Sequence, residues 1–227
     1  VLYRMNLVSE SWFWLLCPLV WLISSVWGMF DSLVVLSTLF SLLMLRRKQF
    51  TAAGMSLGIG IFMKLIPALV IPLVVTRRDI ETKDKLRFTA SSILVGMAGS
   101  LAPFAALGWG YNGFLSAMTY QASGALGGMS PFIAFEFIKP PELVEAIVPV
   151  LWLPAVMACY LYAYLNQGRI SLMEGALLSI SAFILTRGFV SEQLALYPLS
   201  LMLVEESRKQ RNRSFAIAVM LLSTAFL

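Results

Sequence analysis

The sequence predicts an all-α polytopic membrane protein, a bundle of transmembrane helices with short re-entrant or broken hairpins. Three observations carry that prediction. Hydrophobic residues make up 59% of the 227 residues and charged residues only 13%, about half the charge of an ordinary soluble domain. Apolar runs recur along the whole length, separated by short polar breaks, as repeated helical spans require. The basic residues fall into clusters between those runs, as cytoplasmic loops do.

The clusters orient the chain. Arg4 precedes the first apolar run, and Arg46, Arg47 and Lys48 follow the second. Arg77, Arg78, Lys83, Lys85 and Arg87 share one loop, Arg169 sits in another, and Arg208, Lys209, Arg211 and Arg213 form a third. With these inside, only Lys64, Lys139 and Arg187 of the 17 basic residues lie elsewhere. The path is then one transmembrane domain over 1–227 with apolar segments 11–26, 32–45, 51–63, 65–76, 88–108, 142–164, 171–187, 188–204 and 214–227. Segments 11–26 and 32–45 make a hairpin with Asp31 at its outer tip, and 51–63 and 65–76 a second with Lys64 at its tip. Both have short arms. Thirteen helical residues cover about 20 Å against a hydrocarbon core of about 30 Å. Lys64 and Pro67 are therefore expected beneath the outer surface, in protein or a water-filled recess, because lipid does not tolerate them.

The chain begins at Val1 and ends inside the apolar run "SFAIAVMLLSTAFL", so it is expected to be part of a longer protein. Its first apolar segment leads straight into others, unlike a cleavable signal peptide. Cys17 and Cys159 lie in apolar runs, as small packing residues do. The chain has no histidine, which excludes His-dependent zinc hydrolases, Ser–His intramembrane proteases and His-ligated haem. The net charge of +5 is spent on topology and argues for no nucleic-acid partner.

Once the cytoplasmic clusters are set aside, a short list of ionisable residues remains. Asp31 reads either as an N-cap for a helix beginning at Ser32 or as a site carboxylate. Lys64 reads as a snorkelling lysine or as a site cation. Arg187 and Glu192 flank the Gly188 turn and could simply pair. Glu136, Lys139, Glu142 and Glu145 read as surface charges around "KPPE". The outer loop 109–141 carries Tyr111, Asn112, Tyr120, Gln121, Ser123 and Ser130. Its Gly124, Gly127 and Gly128 allow close backbone approach, a mixture suited to a sugar-like polyol.

The stretch "LLCPLVWLISSVWGMFDSLVVLSTLFSLLMLRRKQFTAAGMSLGIGIFMKLIPALVIPLVV" (15–75) resembles the polyprenyl-phosphate-sugar-dependent glycosyltransferases of the GT-C superfamily. It is most similar to the mannosyltransferase branches, the first GPI mannosyltransferase and its prokaryotic relatives. The family pattern is a Pro-containing helix, W-G-x-x-D, a helix, a basic turn, a Gly-rich helix and K-x-x-P; here Pro18, Trp27, Gly28, Asp31, Lys64 and Pro67 match. A second stretch, "RGFVSEQLALYPLSLML" (187–203), is similar to the family's E-Q followed by an aromatic and Pro, in Glu192, Gln193, Tyr197 and Pro198. Leu194 stands where the family usually has an aromatic residue. The acid that the family carries in its first outer loop has no counterpart and would lie upstream of Val1.

The resemblance implies a hexosyltransferase that moves a sugar, mannose foremost, from a lipid-phosphate carrier to an acceptor hydroxyl. It implies an integral protein of a prokaryotic plasma membrane or the endoplasmic reticulum, active at the extracytoplasmic face. Such a reaction needs a carboxylate to take the acceptor's proton and positive charge to hold the departing phosphate. Asp31 and then Glu192 are the expected carboxylates, with Asp31 a positioning group or auxiliary base beside the upstream acid. Lys64 and Arg187 are the expected phosphate ligands. Gln193, Trp27, Gly28, Tyr120 and Gln121 are expected to bind substrate. Expected partners are membrane lipid, the lipid-linked donor, a glycan, lipid or protein acceptor, and an accessory membrane subunit. No ligand cluster argues for a metal. A secondary transporter, a lipid-linked-sugar flippase and a non-catalytic membrane subunit stay open as alternatives.

Overall fold

The computed structural model describes residues 30–113, 115–116, 127–128, 132, 142, 147–187, 189–190, 194, 197–198 and 200–201. They are helical apart from turns and one two-residue β-bridge. The helices are α1 (Asp31–Arg46), α2 (Phe50–Met63), α3 (Val70–Thr76), α4 (Thr82–Leu107), α5 (Trp152–Leu165) and α6 (Leu172–Thr186). A 3-10 turn, Ile66–Leu69, leads into α3, and another, Val148–Val150, precedes α5.

The pattern of burial is that of a protein in lipid. Leu33, Leu36 and Phe40 on α1, and Met55, Ile59 and Phe62 on α2, form exposed apolar stripes at helical spacing, while Ser37, Thr38, Ser41, Ser56 and Ser92 are buried. Hydrocarbon cannot satisfy a hydroxyl, so these residues turn inward. Ser37 and Thr38 donate to the Val34 carbonyl at 2.8 and 2.9 Å, and Ser92 to that of Phe88 at 2.8 Å. Ser56 reaches across from α2 to the Ser37 carbonyl of α1 at 2.9 Å. Thr82–Leu107 and Val148–Leu165 are each long and apolar enough to cross a membrane.

α1 and α2 form an antiparallel hairpin. At its turn the Gln49 N–H bonds back to the Met44 carbonyl at 2.9 Å, and Lys48 takes a left-handed φ of 58°. This 6→1 bond closes the end of a helix whose last carbonyls lack partners. Glycine lets α2 lie against α4. A Cβ on Gly58 would stand 2.7 Å from the Ser92 carbonyl oxygen, and one on Gly54 would collide with the Phe88 carbonyl. Further along, Ile61 and Phe62 of α2 fill the space that Gly96 and Gly99 of α4 leave open. Positions 54, 58, 61 and 62 thus meet 88, 92, 96 and 99 in increasing order, so α2 and α4 run parallel. The chain between them must return, and Ile66–Thr76 is that return. Its eleven residues span roughly 17–19 Å, too short to cross a 30 Å core.

The return is anchored by bonds to its main chain. The Tyr160 hydroxyl of α5 donates to the Leu69 carbonyl at 2.9 Å, where the 3-10 turn passes into α3. At the other end the Gln167 carboxamide donates to the Thr76 carbonyl and accepts from the Arg78 N–H, both at 2.8 Å. Arg77 holds Asp79 through two bonds of 2.8 and 3.0 Å and donates to the Ile170 carbonyl at 3.0 Å. The Arg78 guanidinium lies 4.6 Å from the Tyr164 ring centroid, a cation–π contact. Loops 77–81 and 166–171 are therefore at one end of the bundle, and both carry positive charge. Ser171 and Glu174 start α6 with a capping box.

Two helices depart from their hydropathic limits. α4 begins at Thr82, six residues before the apolar run, because its polar first turns are exposed and carry an Asp84–Arg87 pair at 3.2 Å. Hydropathy marks where lipid begins, whereas backbone hydrogen bonding marks where the helix begins. In the expected span 188–204, residues 189–190 are β2 (Phe189–Val190) and pair in parallel with β1 (Gly127–Gly128) of the outer loop. Helix is described further along, at 197–198 and 200–201.

Candidate functional site

Asp31 and Lys64 meet at the end of the hairpin away from the basic turn. Asp31 opens α1 and Lys64 follows α2, and the arms between them and the turn at 47–49 are nearly equal. Met63 ends α2 because a proline lies ahead. Lys64 is extended (φ −154°, ψ 139°), and Pro67 sits second in the Ile66–Leu69 turn; it has no N–H to give the Met63 carbonyl, and its ring would clash with that carbonyl if α2 ran on. The Lys64 ammonium nitrogen lies 2.5 Å from Asp31 Oδ1. The Asp31 side chain is 4% exposed and that of Lys64 32%. Gly60 lies just beneath, with Ser37 and Pro67 crowding the place a Cβ would take.

The cap reading of Asp31 is corrected here. Phe30 holds the N-cap position without a side-chain bond, and the Asp31 carboxylate turns to Lys64 instead. A neighbouring ammonium competes more strongly for a carboxylate than exposed amide N–H groups do.

The pair is sunken. Phe62 of α2 packs on Gly99 of α4, and α4 continues to Leu107, about 12 Å further at 1.5 Å per residue. The Asp31–Lys64 pair therefore lies roughly 10 Å short of the Leu107 end of α4. A charge pair at that depth needs protein or a polar recess around it.

Tyr197 joins this neighbourhood. Leu194, Tyr197 and Leu201 recur at helical spacing, are all buried, and pack in the same core as Val34 and Val35, one turn below Asp31. The Tyr197 phenol lies within electrostatic reach of the Asp31 carboxylate. Two stretches more than 160 residues apart in the sequence thus come together at Asp31. Sequence reasoning singled out Tyr197 by resemblance and gave it no task; the signal was the apolar 194–197–201 spacing.

Arg187 follows α6 in an extended conformation (φ −86°, ψ 140°). Its guanidinium lies 5.2 Å from the Phe183 ring centroid, and Phe183 meets Trp152 edge to face at 5.3 Å. Two residues on, β2 brings in the outer loop, with Gly127 opposite Phe189 and Gly128 opposite Val190. These glycines approach the chain's own backbone. Trp27, Gly28, Tyr120, Gln121, Glu192 and Gln193 lie outside the described residues. Among the described residues, no three His, Cys, Asp or Glu side chains gather as metal ligands would.

An integral membrane helix bundle, with a buried ion pair beneath one end and its basic loops at the other, defines the class. The chain belongs to glycosyltransferase family 87, whose match covers residues 2–185. It is thus a GT-C-type membrane glycosyltransferase. The match takes in the whole of the first resembling stretch and ends two residues before Arg187. No curated protein and no solved structure matches the chain.

Proposed function

We propose that the chain, acting as one transmembrane unit, transfers mannose from a polyprenyl-phosphate carrier to an acceptor hydroxyl at the extracytoplasmic face. The observation that carries this reading is the Asp31–Lys64 pair, buried some 10 Å short of the Leu107 end of α4. The opposite end carries Arg77, Arg78 and Arg169, and the positive-inside rule supports an extracytoplasmic site on that basis. The acceptor oxygen bonds to the sugar's anomeric carbon as the bond from that carbon to the phosphate oxygen breaks. The phosphate leaves with the bonding electrons as polyprenyl phosphate, and the acceptor's proton passes to a carboxylate. Asp31 is the carboxylate placed to hold that hydroxyl, with Glu192 second. Lys64 and Arg187 offer cationic groups to the phosphate as its charge grows. The sugar's identity and the carrier rest on the resemblance of 15–75 and 187–203. Family membership favours transfer over transport.

The test uses membranes carrying the full-length protein and radiolabelled polyprenyl-phosphate mannose. Wild type is compared with Asp31→Asn and Lys64→Ala at equal expression. Wild type should transfer label to lipid or protein acceptors, and each variant should lose roughly a hundredfold or more. Full activity in both variants would refute the site. Movement of the carrier across the bilayer without transfer would replace the enzyme by a flippase, and no activity until a second subunit is added would make the chain an accessory.

A further inference from the structure

Tyr197 is 1% exposed, and its buried hydroxyl has no hydrogen-bond partner among the described residues. A buried hydroxyl left unmade costs free energy that proteins rarely leave unrecovered. Ser41 and Thr89 carry buried hydroxyls in the same state, but neither oxygen lies beside an ionisable group of the site. Tyr197 differs in two ways. Its oxygen sits at the end of a rigid ring and cannot turn back onto its own helix, as a serine can. Its ring also stands in the core that supports the first turn of α1, where the Asp31 carboxylate is. Yet the phenol and the carboxylate do not bond: Asp31 is bonded to Lys64, and the Tyr197 hydroxyl to none of the described residues.

We infer that Tyr197 is a substrate-contacting residue whose phenolic O–H donates to the acceptor hydroxyl held by Asp31, so that the two residues form the acceptor subsite. This rests on the transferase reading above. The chemistry selects a hydroxyl. A hydroxyl can give its proton to a carboxylate while taking one from a phenol. A phosphate has no proton to give Asp31 at neutral pH, and its charge is repelled there. Donation from Tyr197 to the acceptor oxygen also fixes where the lone pair that attacks the sugar points. Lys64, the partner of Asp31, is left for the phosphate.

The experiment is Tyr197→Phe in the full-length protein, in membranes, with labelled polyprenyl-phosphate mannose as donor and octyl mannoside titrated as the acceptor probe. The acceptor KM should rise about five- to tenfold, the equivalent of one neutral hydrogen bond, while the donor KM stays within about twofold. Because the hydroxyl has no partner among the described residues, the variant should melt at or above the wild-type temperature. An unchanged acceptor KM, or equal rises in both KM values, would overturn the inference and leave the transferase standing. So would a lower melting temperature, since the hydroxyl would then be holding the fold. No transfer by wild type to octyl mannoside or to endogenous lipid would overturn the transferase reading and this inference with it.

Discussion

Breaking the Asp31–Lys64 pair from its two sides should have unequal effects on stability. At 2.5 Å the gross attraction between the charges is about 7 kcal/mol for an effective dielectric of 20. Desolvation offsets most of it. What remains depends on which charge is left behind. Lys64→Met strands a carboxylate that is 4% exposed, and removing one partner of a buried pair costs about 3–5 kcal/mol. Asp31→Asn leaves behind an ammonium whose side chain is 32% exposed. That flexible chain can carry its charge towards water, so the loss is about 1–2 kcal/mol, chiefly the hydrogen bond. The double variant removes both charges and should be more stable than Lys64→Met alone. Thermal unfolding of the full-length protein in detergent or nanodiscs reads all three. Asp31→Asn falling as far as Lys64→Met, or a double variant equal to the sum of the singles, would refute the argument. Activity should vanish in both singles regardless, which separates folding from chemistry.

Two other regions give sharper or milder responses. Gly58→Ala places a methyl 2.7 Å from both the Ser92 carbonyl oxygen and Val95 Cβ, so it should destabilise by about 1–3 kcal/mol as overpacking does. Gly113→Ala, with nothing among the described residues within 4 Å, should stay within about 0.5 kcal/mol; equal melting temperatures for the two would contradict the close α2–α4 packing. The Asp79 carboxyl is held below the ordinary aspartate range, first by its hydrogen bonds from Arg77. A lowered folded-state value means that its contribution is complete above the ordinary range and is lost as pH falls through the lowered one. Asp79→Asn should therefore differ from wild type by a constant amount between about pH 8 and pH 5, with the gap closing only below about pH 4. A gap that closes between pH 7 and pH 6 would point to another group.

The membrane class and the helical fold were legible because hydropathy and charge placement act over long stretches. Lys64 was also legible as the point where α2 gives way to the return, whereas the first arm of the hairpin expected at Asp31, 11–26, lies outside the described residues. The meeting of Asp31 with Lys64 was not legible, because the two hairpins were read separately. The arithmetic was present all the same: 31 and 64 are symmetric about the Arg47–Lys48 turn, and an antiparallel pair of equal arms must bring its ends together. The parallel packing of α2 and α4 was hidden for a different reason. It depends on Gly54 and Gly58 meeting particular carbonyls of α4, and a glycine's partner leaves no mark in the sequence. The β1–β2 bridge was likewise invisible, since main-chain pairing between a glycine pair and Phe189–Val190 requires no side-chain pattern.

The bonds that hold Ile66–Thr76 grip the carbonyls of Leu69 and Thr76 and the N–H of Arg78. Such atoms are common to nearly every amino acid. Where its side chains are not in the core, as at Val75, the segment can therefore change over evolutionary time without losing its place, provided that Tyr160, Gln167, Pro67 and the buried Ile66, Val70, Leu73 and Val74 stay. Adaptation to a bilayer of another thickness or lipid composition could then proceed by drift along the return, with Lys64 still delivered to the same spot.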